Sequence, residues 1–124
     1  MITWLLLALG ATLGAALRYY TTIGVVGWLG VSFPYATMIV NVAGCFVLGL
    51  VLTAAEQHPW ITNEYRLLIG TAFCGSLTTF STFSYETWSL LSKGQYLAGM
   101  LNVVGNLVPG LLAVMLGILL ARMW

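Results

Sequence analysis

Four Lys/Arg and three Asp/Glu are the only charges on this 124-residue chain, and they leave four long apolar runs between them. Charged residues make up 6% of the chain and hydrophobic residues 60%, whereas a soluble domain is roughly 25% charged. A helix needs about 20 apolar residues to cross the hydrocarbon core of a bilayer. The sequence therefore reads as an all-α integral membrane protein, with one membrane domain over residues 1–124. The spans are expected at about 2–22, 34–55, 67–91 and 96–123. The intervening "IGVVGWLGVSF", "EQHPWITNEYR" and "SKGQ" are expected as turns.

Several function classes drop out on composition. The near-neutral charge offers no basic patch for nucleic acid. Cys45 and Cys74 fall inside spans without metal or redox spacing and read as small packing residues. His58, beside Pro59 and Trp60, reads as a solvated loop side chain without a role. The opening "MITWLLLALGATLGA" has the apolar core of a signal peptide but no preceding basic residue, and is expected to stay as the first span. An enzyme is not expected, because no span contains a histidine to activate any hydroxyl between Ser76 and Thr87.

Orientation normally follows the side richer in Lys and Arg. Four spans place Arg66 and Arg122 on the side of the N-terminus and Arg18 and Lys93 on the other. A two-against-two balance gives insertion no preferred direction, which suits a dual-topology chain pairing with itself antiparallel. Four charges are also few enough that the balance could carry no information, and on charge alone the two readings stand level.

Polar residues at membrane depth are costly unless they face a neighbour, a cavity or an ion path. In span two, Thr37 and Asn41 are four apart and share a helical face. Gly44, Gly49, Gly70 and Gly75 read as notches for close helix packing. Span three carries "CGSLTTFSTFS", where Gly75 and Ser76 precede a run of hydroxyls that compete with the helical ladder. That pattern suggests a helix broken within the membrane, tolerated only where protein or a polar cavity surrounds the freed backbone. Phe80 and Phe83 would share a side of the resumed helix. At helical spacing they read first as core residues. Their positive ring edges, set among Ser81, Thr82, Ser84 and the Asn41 amide, would alternatively offer an anion several weak donors. Glu86 and Arg18, at the end of the first span, could supply each other's counter-charge. Asn102 and Asn106 form another four-residue pair in span four, followed by Pro109, where a kink is expected.

Taken together, "GATLGAALRYY", "PYATMIVNVAGCFVLG" and "TAFCGSLTTFSTFSYE" resemble the Fluc (CrcB) family of microbial fluoride channels. The resemblance covers roughly the first 90 residues and is weaker in span four. It implies an antiparallel dual-topology homodimer in a microbial inner (plasma) membrane, exporting fluoride passively down its gradient to relieve toxicity. It also implies a structural Na+ on the dimer axis, held by the backbone carbonyls of Gly75 and Thr78. The family's ion pathway falls on Asn41, Phe80, Phe83, Ser81, Thr82, Thr37, Glu86 and Asn106, with Arg18 as a structural charge. Two residues depart from the family pattern, Ser76 and Ala36, where glycine is usual. The alternative of similar architecture is a small multidrug-type, proton-coupled transporter. That class uses a carboxylate in span one, and none is present here.

Overall fold

The computed structural model describes residues 1–124, all helical apart from the termini, short connections and one interruption. Helix α1 (Ile2–Leu29) and helix α2 (Tyr35–Gln57) are followed by a third span, Asn63–Ser92, built in pieces. It begins as α3 (Asn63–Tyr65), widens into a π-helical stretch (Arg66–Cys74) and closes with one α-turn, α4 (Gly75–Leu77). Thr78 and Thr79 are extended, and α5 (Phe80–Ser92) resumes the span before α6 (Tyr96–Met123). Four stretches are thus long and apolar enough to cross a bilayer.

Each connection ends for a local reason. Helix α1 runs past the expected boundary near residue 22 because no residue stops it before Gly30, whose φ of 77° is left-handed. Most of the expected first turn is therefore helix. Gly94, at φ 75°, makes the corresponding stop after α5, where Gln95 N–H reaches back to the carbonyl of Leu90 at 2.9 Å. Helix α6 continues through Pro109.

Lipid removes the hydrophobic drive between spans, so close backbone approach must hold them together. In α1, Gly10 and Gly14 seat on the π-helical stretch: a Cβ on Gly10 would lie 2.5 Å from the carbonyl oxygen of Leu68, and one on Gly14 would strike that of Phe73. The pairing of α2 with α6 is equally tight, since a Cβ on Gly49 would lie 2.5 Å from the Val114 carbonyl. The notch reading of the glycines holds at Gly44 and Gly49. Gly75 differs, because nothing in the chain lies within 4 Å of where its Cβ would be.

His58 is not the solvated loop residue expected. The turn through Pro59 folds its half-buried ring between Trp60 and the C-terminal Trp124, with centroids 5.8 and 5.5 Å away. Both indoles stay largely exposed, at 61% and 74%, and His58 Nε2 is buried beneath them without a hydrogen-bond partner.

Candidate functional site

The interruption at Thr78–Thr79 organises the polar residues. Both are β-branched and favour extended backbone, and their φ/ψ values are −80°/158° and −152°/112°. Thr79 then caps α5, its hydroxyl oxygen accepting from the N–H of Thr82 at 3.2 Å, as an N-cap threonine does. The same hydroxyl donates to Thr82 Oγ1 at 2.9 Å and lies 3.4 Å from Ser81 Oγ. The break thus falls at the start of the hydroxyl run that follows Gly75 and Ser76. Gly75 itself is right-handed helical at φ −62°, and Ser76 needs no left-handed backbone, which explains why a serine is tolerated there.

Asn41 of α2 holds the break open. Its Oδ1 accepts from the Thr79 N–H at 2.8 Å, while its Nδ2 donates to Asn106 Oδ1 at 2.9 Å and lies 3.4 Å from the Thr79 carbonyl. A side-chain amide oxygen has replaced the helical acceptor of the Thr79 N–H. The consequence falls on two carbonyls. In a helix, Gly75 C=O would accept from Thr79 N–H and Thr78 C=O from Thr82 N–H. Both donors are engaged elsewhere, so the Gly75 and Thr78 oxygens lack their helical partners. The α2 backbone comes close here: a Cβ on Gly44 would collide with Thr78 Cγ2.

Two cavities meet at this point, with Thr79 lining both. The smaller, about 340 Å³, is walled by Asn41, Gly75, Thr78, Phe80, Phe83 and Asn106, with both free cysteines alongside. The Phe80 and Phe83 centroids are 5.7 Å apart, and the Phe80 ring is 79% exposed on the single chain. The larger, about 740 Å³, is lined by Arg18, Thr37, Thr82 and Glu86. Thr37 Oγ1 donates to Glu86 Oε1 at 2.9 Å, and Glu86 Oε2 is buried without a partner. Arg18 shares the cavity, but the hydrogen-bond partner of Glu86 is Thr37. Arg18 also lies well inside α1 rather than at its end.

Of the residues singled out in the sequence, Asn41, Phe80, Phe83, Gly75, Thr78 and Asn106 come together on one side of the break. Thr37, Thr82, Glu86 and Arg18 gather on the other. Ser81 joins them only through Thr79. Three residues went unassigned: Thr79, the hinge itself, and Asn102 and Thr87, which hydrogen-bond to each other. The four-residue spacing of Asn102 and Asn106 was the available signal.

Comparison with known proteins places this geometry. Residues 5–118 match the family model described as "CrcB-like protein, Camphor Resistance (CrcB)". A Synechococcus protein named fluoride-specific ion channel FluC is 45% identical over 117 residues, covering 94% of this chain and 90% of its own. Its namesake from Pyrococcus abyssi is 45% identical over 122 residues, covering 97% and 96%. One from Synechocystis is also 45% identical, over 118 residues, covering 95% and 91%. Matched along nearly its whole length by family model and relatives alike, this multi-pass membrane protein belongs to the CrcB family.

Proposed function

We propose that the chain is a fluoride channel, conducting the anion passively and so lowering its internal concentration. The observation that carries this is the break at Thr78–Thr79, where two cavities, each with amide or hydroxyl side chains in its wall, meet within an apolar span. The relatives named fluoride-specific channels align across the break and both cavities. Fluoride is small and strongly hydrated, so a path for it must replace water with several donors that still release the ion. Around the smaller cavity these are the second N–H of Asn41, held only by a long contact to Thr79, and the ring edges of Phe80 and Phe83. Thr82 and Thr37 continue the hydroxyl lining on the far side. Hydrogen fluoride entering as a neutral acid from an acidic exterior ionises inside, and the anion then needs this exit. Passive flow requires no coupling ion.

The functional unit is a homodimer of antiparallel chains in a microbial inner membrane. Ser81, Thr82 and Ser84 are exposed on the single chain, beside Phe80, Tyr85 and Trp88. Hydroxyls and a broken backbone are costly against lipid, and a second copy would cover them. The uncrowded surface at Gly75 allows that approach. The released Gly75 and Thr78 carbonyls suit a hard monovalent cation, and two antiparallel copies would present four such oxygens to a structural Na+. When bound, that cation supplies positive charge at mid-membrane, which lowers the cost of an anion there.

Liposomes containing only the purified chain test the function. With a fluoride gradient and a potassium ionophore to balance charge, fluoride should leave while chloride stays. Retention of fluoride sinks the reading, and proton movement driven by a cationic drug would favour the multidrug-type exchanger instead.

A further inference from the structure

Asn41 belongs to a directed chain of hydrogen bonds whose far end lies in a region that the proposed function does not use. It begins at Thr87 of α5, whose hydroxyl donates to the Phe83 carbonyl at 2.8 Å. That hydroxyl has one hydrogen, and with it committed the oxygen can only accept. Asn102, a fully buried side chain of α6, donates Nδ2 to it at 2.9 Å. The Asn102 oxygen must therefore face the other way, where Asn106 Nδ2 meets it at 3.1 Å and meets the Asn102 carbonyl at 2.9 Å. With its nitrogen thus engaged, Asn106 presents only Oδ1 to Asn41 Nδ2, at 2.9 Å. Asn41 is then left with Oδ1 toward the Thr79 N–H, at 2.8 Å.

An asparagine amide has two orientations of nearly the same shape but opposite polarity. Two neighbours choose between them here, the Thr79 N–H, which can only donate, and Asn106 Oδ1, which can only accept; the reversed orientation would set a carbonyl oxygen toward the anion. We infer that Thr87 and Asn102 are positioning residues, which turn the Asn106 oxygen toward Asn41 and so, together with the Thr79 N–H, fix the orientation of the Asn41 amide and keep an N–H available to the smaller cavity. The sequence Thr87, Asn102, Asn106, Asn41, Thr79 runs from α5 through α6 and α2 and back to the start of α5. It thereby clasps the break across three helices. Neither Thr87 nor Asn102 lines the smaller cavity, so their effect on conduction must pass through the relay. This inference rests on the fluoride-conducting reading.

The test is a double-mutant cycle on fluoride efflux from liposomes, joined to nitrogen-15 spectra of the side-chain amides. Thr87→Val keeps the shape of threonine and removes the hydroxyl, and Asn102→Leu removes the amide. Each should slow efflux about three- to tenfold, the range for one lost hydrogen bond, while size-exclusion elution stays that of the parent. The double variant should be no slower than the slower single variant, because both cut one chain. Thr87→Ser should restore the parent rate. In the spectra, Thr87→Val should move the Asn41 amide signals and Thr87→Ser should leave them in place. Parent-like efflux in both single variants would overturn the inference, as would effects that multiply in the double variant. The spectra separate the two levels: a parent that does not conduct contradicts the channel reading, whereas Asn41 signals unmoved by Thr87→Val contradict the relay alone.

Discussion

The backbone N–H of Thr79 donates to the side-chain oxygen of Asn41 at 2.8 Å, across 38 residues of sequence. This bond takes the place of the helical one to the Gly75 carbonyl, and beside it the Thr79 hydroxyl draws off the Thr82 N–H that would have met the Thr78 carbonyl. A change at either partner should therefore be felt throughout the site.

Asn41→Asp is expected to reduce fluoride efflux at least ~100-fold while the protein still elutes as the parent assembly. An aspartate oxygen can still accept from Thr79, but in place of Nδ2 it sets an acceptor against Asn106 Oδ1. It also sets a negative charge in a narrow path, where screening is weak. Parent-rate efflux would make Asn41 a packing residue.

Phe80→Ile and Phe83→Ile should each slow efflux severely, by roughly tenfold or more, through loss of the aromatic edge. The dependence of assembly on sodium should not change, since neither ring supplies a carbonyl to the proposed cation site. Thr78→Ala should be milder than either, because its carbonyl stays when the methyl near Gly44 is gone. Efflux under fixed ionic conditions, compared across the three variants, checks the order.

Gly14→Val should destabilise the fold by about 1–3 kcal/mol, the usual range for overpacking. Even a Cβ at this position strikes the carbonyl of Phe73. Gly24→Ala is the control, since nothing lies within 4 Å of its added carbon and α1 is helical there. Thermal unfolding in detergent should show a lowered Tm for the first variant and a value at or slightly above the parent for the second.

Dual topology should appear as half-labelling. In a background with Cys45 and Cys74 replaced by serine, a cysteine at exposed Gln95 should react with an impermeant thiol reagent in about half the molecules from each side of the membrane. Labelling from one side alone would contradict the antiparallel pair.

Much of this was legible in the sequence, because the deciding forces are short-range or compositional. Seven scattered charges force four spans whatever the tertiary packing, and Thr37 and Asn41 share a face by helical period alone. That the span breaks where the hydroxyl run begins was legible, but what holds the break was not. Gly75 and Ser76 look like the breakers, yet they stay helical, because the competition is decided by a side chain on another helix. The π-helical widening of Arg66–Cys74 has no composition signal either. His58 was misread since its partner, Trp124, lies at the far end of the chain. Asn102 and Asn106 were visible as a pair, but which end of the Asn106 amide faces Asn41 depends on a hydroxyl in α5, acting through Asn102.

The most direct test is the current carried by the purified chain in a planar bilayer with unequal fluoride on the two sides. The account predicts a current that reverses at the fluoride equilibrium potential, with the reversal unmoved by an imposed pH or chloride gradient. The absence of current, or a reversal potential that follows protons or chloride, would contradict it.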